Sequence, residues 1–251
     1  MFVSEADHII RPVSRELKIE LAHHLDDVRD AQRLRFKIFS EEMGARLNTS
    51  EAGFDIDPFD HHCDHLLVRD QHSGRVVGTY RILRPEAARN MGQYYTETEF
   101  DLSRLTHLRP DMVELGRACV HQDYRNGATI SLLWAGLADY MQTRGYQYLI
   151  GCASVGMGDG GHAAASLYTR IKDKYAAPVE WQVTPLNPLP LAALNCHVLT
   201  EVPALIKGYL RLGAYICGAP AWDPEFDTAD LPILLPMSRL SPRYAKHFMA
   251  A

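Results

Sequence analysis

The sequence predicts an α/β fold in which a mixed central sheet is flanked by helices and the C-terminal third is elaborated. Three observations carry this. Short apolar runs of strand length interchange with stretches of helical spacing. Two of those runs, 64–69 and 75–83, are separated by turn residues, and a strand–helix–strand order follows over 112–155. A hairpin feeding a strand–helix–strand unit makes a sheet with both antiparallel and parallel pairs, covered by helices on its faces. The 251 residues are 47% apolar, enough for a sizeable core. Neither repeats nor linker composition interrupts them, so one domain over 1–251 is expected.

Taken in order, Leu17 to Ala22 alternates and reads as a strand. From Asp26 onward Val28, Ala31, Leu34, Ile38 and Phe39 recur at helical spacing, ending near Gly44. The polar stretch from Gly44 to His62 carries Pro58 and reads as a long loop, a length that compact domains reserve for functional segments. Asp64–Arg69 and Arg75–Leu83 form a hairpin through Gln71-His72-Ser73-Gly74. A short helix over Pro85–Met91, an irregular stretch from Thr98 to Pro110 and a strand over Met112–His121 follow. Thr129–Arg144 is a helix with Ile130, Leu133, Leu137 and Met141 on one stripe, closed by Gly145. Tyr146–Val155 is a strand, and the glycine-rich turn Gly156–Gly161 leads into a helix ending near Tyr175. Beyond Pro178 the pattern weakens: a short basic helix over Pro203–Leu212, strands at Ala214–Cys217 and Leu231–Leu235, and a terminal helix opening at Ser241-Pro242.

Bulk properties narrow the function. A net charge of −5 supplies no global field for nucleic acid, so no nucleic-acid partner is expected. Every apolar run is far shorter than the roughly 20 residues of a membrane-spanning helix, and Met1–Glu20 contains no signal-peptide block. A cytoplasmic location is expected. Five cysteines, odd in number and without a Cys-x-x-Cys pair, argue against a disulfide framework and a zinc site. His61-His62-Cys63-Asp64-His65 invites a metal, but successive strand residues alternate faces, so none is expected. Gly156-Met157-Gly158-Asp159-Gly160-Gly161 lacks the spacing of a dinucleotide fingerprint.

The chemistry-bearing feature is Glu114-Leu115-Gly116-Arg117, which interrupts the apolar strand over 112–121. Charges there must be paired or face a cavity, because burying a lone charge is costly. Residues three apart on a regular strand point to opposite faces, so a bulge at Gly116 is expected to bring both side chains to one side. A structural ion pair is the alternative role.

Glu114-Leu115-Gly116-Arg117-Ala118-Cys119-Val120 resembles the Glu-x-x-Arg strand of acyl-homoserine-lactone synthases and related GNAT acyltransferases. Arg35 and Phe39 on the first helix, Asp57 and Asp60 in the loop, and Arg81 within Gly78-Thr79-Tyr80-Arg81-Ile82-Leu83 agree in order. The chain is more similar still to bacterial ornithine lipid N-acyltransferases, through Cys63–Val68, Leu149–Ser154, Pro203–Gly213, Pro220–Asp223 and Leu235–Leu240. The resemblance implies a GNAT-like sheet and transfer of a 3-hydroxyacyl group from acyl carrier protein to the α-amine of ornithine, giving lyso-ornithine lipid. No cofactor is implied beyond the 4'-phosphopantetheine of the carrier protein.

Amide formation from a thioester requires the acceptor amine to lose a proton and an oxyanion to be stabilised. Glu114 is the candidate proton acceptor, with Arg117 beside it. By resemblance the oxyanion donor maps to Cys119 or Val120. Arg35, Arg81 or Arg117 is expected to hold the acceptor carboxylate, Asp57 or Asp60 its side-chain ammonium, with Phe39 in the same pocket. The phosphate loop of acetyl-CoA enzymes is reduced to Tyr124-Arg125-Asn126-Gly127-Ala128-Thr129, which suits a single phosphodiester at a helix start, with Arg125, Gly127 and Ala128 as its contacts. Arg125, Arg144, Arg170, Lys172 and Lys174 are candidates for the face that meets an acidic carrier protein. Lys207 and Arg211 mark the 203–212 helix as either a peripheral membrane contact or an ordinary amphipathic surface helix. Competing readings are another acceptor (glutamine, glycine or S-adenosylmethionine) and a non-catalytic acyl-carrier or lipid-binding module.

Overall fold

A computed structural model describes residues 16–240; the terminal helix expected at Ser241-Pro242 lies outside them. The N-terminal half is an antiparallel meander: β1 (Leu17–Leu21), β2 (Asp64–Asp70) and β3 (Val76–Leu83) pair in sequence order, with α1 (Leu25–Phe36) inserted between β1 and β2. Side chains of β2 alternate between two cores, as a period of two requires. Leu66 and Val68 face α3 (Ala128–Arg144) with Leu133, Leu137 and Met141. Leu67 faces α1 with Ala31, Leu34 and Ile38. Every residue of β3 is buried, as a strand covered on both faces must be. At Gly78 a Cβ would lie 2.6 Å from Thr129 Cγ2, so the start of α3 can rest directly on the strand only because no side chain intervenes.

After α2 (Pro85–Met91) the chain adds β4 (Phe100–Asp101) and a 3₁₀ segment over Ser103–Asp111 within the stretch expected to be irregular. It then enters the sheet as β5 (Met112–Val120), antiparallel to β3. Through α3 it returns as β6 (Tyr148–Gly156), parallel to β5 but only at Met112 opposite Tyr148, Val113 opposite Leu149 and Glu114 opposite Ile150. Beyond Glu114 the two strands part, although both continue for six more residues. The sheet therefore opens into a fork at its centre.

The C-terminal third supplies β6 with its other partner. After α4 (His162–Tyr175) and β7 (Thr184–Pro185, which pairs with β4), α5 (Ala204–Leu212) leads to β8 (Tyr215–Ile216), β9 (Ala221–Asp223) and β10 (Thr228–Pro236). All nine residues of β10 pair antiparallel with β6, and β8 and β9 pair with β10. The order across the sheet is β1-β2-β3-β5-β6-β10-β8. Three short strands, β4, β7 and β9, escape a periodicity search because two or three residues show no period. A second apolar cluster (Tyr94, Phe100, Leu102, Leu105, Met112 and Leu234 among others) ties the loops before β5 to β10.

Candidate functional site

The fork and the irregular end of α1 build a cavity of about 310 Å³, lined among others by Phe39, Tyr95, Arg117, Cys119, Val120, Arg125, Cys152, Asp223, Phe226 and Asp230. Two backbone irregularities shape it. The last turns of the first helix, Lys37–Glu42, widen to π geometry, a form that recurs at functional sites, and place Ile38 and Phe39 against the cavity. In β5 the register with β3 slips between Thr79–Cys119 and Arg81–Gly116, so two steps on β3 face three on β5. The bulge expected at Gly116 is present one residue later: Gly116 stays paired, and Arg117 takes the left-handed conformation with φ 50°. A residue other than glycine in that conformation carries strain, and such strain concentrates at functional sites.

The turned-out Arg117 side chain enters the cavity. Its guanidinium lies 5.0 Å from the Tyr95 ring centre and 4.7 Å from that of Phe226, and Phe226 in turn meets Phe39 edge-on at 5.7 Å. Behind it stands a network of three arginines and three aspartates. Arg35, fully buried, donates from Nε to Asp55 (2.7 Å) and from Nη2 to Asp60 (2.7 Å). Arg81 bonds Asp57 and lies 3.1 Å from Asp60. Arg117 reaches Asp57 at 2.9 Å and Asp55 at 3.2 Å, and Gln32 adds a bond to Asp60 at 2.9 Å. Burial by itself would push the carboxyls of Asp57 and Asp60 up, but the surrounding guanidinium groups outweigh it and hold both below the usual range. Asp57 and Asp60 are thus both saturated by arginine.

Glu114 is placed differently from Arg117. It is 3% exposed and does not line the cavity. Its two oxygens accept from Tyr95 N (2.7 Å), Thr96 N (2.6 Å) and the Thr96 hydroxyl, at the start of a 3₁₀ turn over Tyr95–Thr98. Burial pushes its carboxyl up against these donors. No ion pair joins it to Arg117 among the described residues.

The remaining predicted residues fall along β5 and the start of α3. The Cys119 thiol is pushed up to about 12 by burial, which keeps it un-ionised. His121 N–H donates to Val77 O, so by the alternation of an antiparallel ladder the Val120 N–H faces the side that β6 has left. Gly127 (φ 91°) caps α3 in the left-handed region, and the Ala128 N–H at its start already donates to Asn126 Oδ1 at 3.1 Å. Arg125 donates to Val120 O and pairs with Glu42 at 2.6 Å. Arg125, Gly127 and Val120 share an adjoining cavity of about 340 Å³ beneath Trp134 and Leu205. A third cavity, apolar and about 320 Å³, lies on the far side of the fork under Trp134, Leu137, Met141 and Leu235. Tyr209 borders it and also the fork, and its hydroxyl meets that of Tyr80 at 2.6 Å.

Two other motifs resolve on local geometry. His61 and His62 are exposed whereas His65 is buried against Asp60 O, so the histidine run diverges. Asp159 accepts the N–H groups of Gly161 and Ala163 and occupies the start of α4. Sequence reasoning missed Asp55, Tyr95, Glu99, Asp223, Phe226 and Asp230. Asp230 was accessible to the logic that found Glu114, being one acid in the apolar run Ala229–Leu235, but the strand was expected to begin one residue after it. The others sit in loops or short strands without a periodic background.

The Acetyltransferase (GNAT) domain model matches residues 34–135. The structure is similar to the CoA-dependent acyl-homoserine lactone synthase BjaI (TM-score 0.56, 14% identity, 94% of this chain and 89% of that one). It is also similar to FeeM, an N-acyl amino acid synthase from uncultured soil microbes (TM-score 0.52, 11% identity, 91% and 94%). At such identities the likeness concerns the fold. In sequence the chain is 39% identical to an L-ornithine N(alpha)-acyltransferase of Brucella abortus, covering 100% of this chain and 95% of that protein. It is 36% identical to the protein of that name from Agrobacterium fabrum, covering 92% and 85%. With full-length identity at that level joined to a GNAT-like forked sheet, the chain belongs to the L-ornithine N(alpha)-acyltransferase family of GNAT enzymes.

Proposed function

We propose that the chain transfers a 3-hydroxyacyl group from acyl carrier protein to the α-amine of ornithine, releasing lyso-ornithine lipid and the free carrier thiol. The observation that carries this reading is the fork between β5 and β6, which lies between the Arg117 cavity and an apolar cavity of about 320 Å³, with Tyr209 bordering both. A thioester laid in the fork has its acyl chain directed under Trp134 and its pantetheine arm along Val120 toward Gly127. Arg125 and the reduced loop before α3 then meet the phosphodiester. Arg117, held between two aromatic rings, takes the acceptor carboxylate, with Phe39 completing the wall. Arg35, Arg81, Asp57 and Asp60 act in this reading as the frame that fixes Arg117.

In the reaction the neutral α-amine attacks the thioester carbonyl, the Val120 N–H stabilises the oxyanion, and the C–S bond breaks as the leaving thiolate takes up the proton that the attacking amine has released to its base. Glu114 receives the amine's proton through the Thr96 hydroxyl, to which it is bonded. Its three donors favour a second role, as the anchor of the Tyr95–Thr98 turn. Glu114→Gln separates the two. A base predicts a fall in kcat of about 10²-fold or more with loss of the acid limb of the pH profile; an anchor predicts a raised KM with the profile's shape kept.

The donor and acceptor are tested together by incubating the protein with 3-hydroxyacyl carrier protein or 3-hydroxyacyl-CoA and a panel of amino acids, reading products by mass. Acylornithine formed faster from the carrier protein supports the proposal. Acylglutamine or acylglycine as main product would replace the acceptor, and no product with any acceptor would leave a binding module. No described helix is long and apolar enough to cross a membrane. In α5 the apolar face (Ile206, Leu210, Leu212) is buried, leaving Lys207 and Arg211 outward for any contact with an anionic surface.

A further inference from the structure

Part of the wall of the Arg117 cavity is acidic. Asp223 and Asp230 line it, and Glu99 stands immediately behind, with a carboxylate oxygen of Glu99, one of Asp230 and the Cys152 sulfur all within 4.8 Å of one another. Glu99 is 9% exposed, and the groups that reach its oxygens are its own neighbours, the Asp230 carboxyl and the Cys152 thiol, with no cationic donor among them. Asp230 accepts from the Thr228 hydroxyl at 2.9 Å, and Asp223 from the Glu225 and Phe226 N–H groups. Among the described residues no lysine, arginine or histidine pairs with any of the three. Three carboxyl groups beside one cavity with no cation, one of them buried against another acid and a thiol, form an arrangement a folded chain does not leave without a reason.

We propose that Glu99, Asp230 and Asp223 form the subsite for a terminal ammonium group, so that the acceptor is a diamino acid laid across the cavity with its carboxylate on Arg117. The proposal rests on the acyltransferase reading above and adds the part of the site that selects the acceptor. Asp57 and Asp60, the carboxylates expected from sequence for this task, are neutralised by Arg35, Arg81 and Arg117 and have no charge to offer. The acidic wall has no internal cation to neutralise it, so a bound ammonium would draw its carboxyls into the ionised form, and it borders the same cavity as Arg117. A cationic side chain also accounts for Glu99, whose oxygens meet only Asp230 and the Cys152 thiol and gain a cationic donor when such a ligand arrives. Burial, with Asp230 beside it, holds the Glu99 carboxyl up at about 10, as expected for a carboxyl whose cation is missing. A divalent metal is the competing occupant. Against it stands Cys152, whose thiol is kept protonated by burial and the neighbouring acids and is a poor ligand in that form.

The test compares ornithine with norvaline, which has the same carbon skeleton without the terminal amine. Direct binding to the intact protein by calorimetry and kcat/KM for acylation are both measured. A site built for a charged donor rejects the analogue lacking it by about 10²-fold or more. The wild-type preference for ornithine should reach that value in binding and in turnover. In Glu99→Gln and in Asp230→Asn, each confirmed folded by circular dichroism, the preference should fall below about 10-fold. Equal binding of ornithine and norvaline by the wild type would overturn the proposal without any variant. An ornithine-to-norvaline ratio that survives in both variants would do the same, as would stoichiometric metal lost in Glu99→Gln. If ornithine binds selectively but no acyl product forms, the acyltransferase reading fails while the ammonium subsite stands.

Discussion

Two clusters of buried charge flank one cavity, and they differ in what completes them. On the α1 side, three arginines and three aspartates balance one another within the protein. On the β10 side, Glu99, Asp223 and Asp230 have no internal counter-charge among the described residues. The balanced cluster holds Asp57 and Asp60 low and ionised; the unbalanced one holds Glu99 and Asp230 high. The same residue type therefore serves as framework in one place and as ligand-directed charge in the other, and the difference lies in the neighbours each carboxyl meets on folding.

The largest expected effect comes from breaking the balanced side. Arg35→Ala leaves Asp55 and Asp60 buried without their shared partner and should destabilise by about 3–5 kcal/mol, measured by urea unfolding. A loss under about 1 kcal/mol would mean that the network is not load-sharing framework and that the contrast with the acidic side is false. Next in size, Gly151→Ala acts on the fork between the clusters. A Cβ there would lie 2.4 Å from Leu115 O, so the strands must shift, at about 1–3 kcal/mol and with a lowered kcat for the longest acyl donors. Unchanged melting and unchanged chain-length dependence would show that the fork yields freely.

A pH series on stability sharpens the comparison further, because the two clusters have opposite signs. Glu99 titrates higher folded than unfolded, so its contribution is complete below its ordinary value of 4.5 and is lost as pH rises toward about 10. Asp57 and Asp60 titrate lower folded, so their contribution is present above 3.8 and lost as pH falls below it. Between pH 5 and 9 the unfolding free energy should therefore decline with pH by up to about 1.4 kcal/mol per unit for one proton, and Glu99→Gln should flatten that decline. The same slope in both proteins would remove Glu99 as its source. Smallest is Arg125→Ala. Its pair with Glu42 is half exposed, so stability should change by less than about 1 kcal/mol while KM for the acyl carrier protein rises. A larger stability loss would move Arg125 from the surface to the framework.

Periodicity found the long elements. Pro85–Met91 and the helix ending at Arg144 stand within a residue of where the sequence places them, because a terminal proline at one and a closing glycine at the other give sharp local signals. The bulge in β5 was legible from charges that an unbroken strand could not have placed on one side. It nevertheless does not unite Glu114 with Arg117: Arg117 turns into the cavity while Glu114 binds the backbone of Tyr95 and Thr96. Which of two charges on one strand faces a cavity depends on a loop 18 residues away that no local pattern encodes.

What the sequence by itself determined is therefore the order of elements, the strand that would bear the chemistry, and the residues of the arginine–aspartate set apart from Asp55. The order of elements and the chemistry-bearing strand follow from short-range physics, in which period, caps and the cost of burying charge act within a few residues; Arg35, Arg81, Asp57 and Asp60 came from the resemblance to GNAT acyltransferases. Only the tertiary structure decided that those arginines neutralise their aspartates and that Glu99 and Asp230, 131 positions apart, share one wall. It also decided that β5 and β6 separate after Glu114. Those outcomes rest on which distant groups come within a few ångströms of one another, and at that range charge balance is set by the fold.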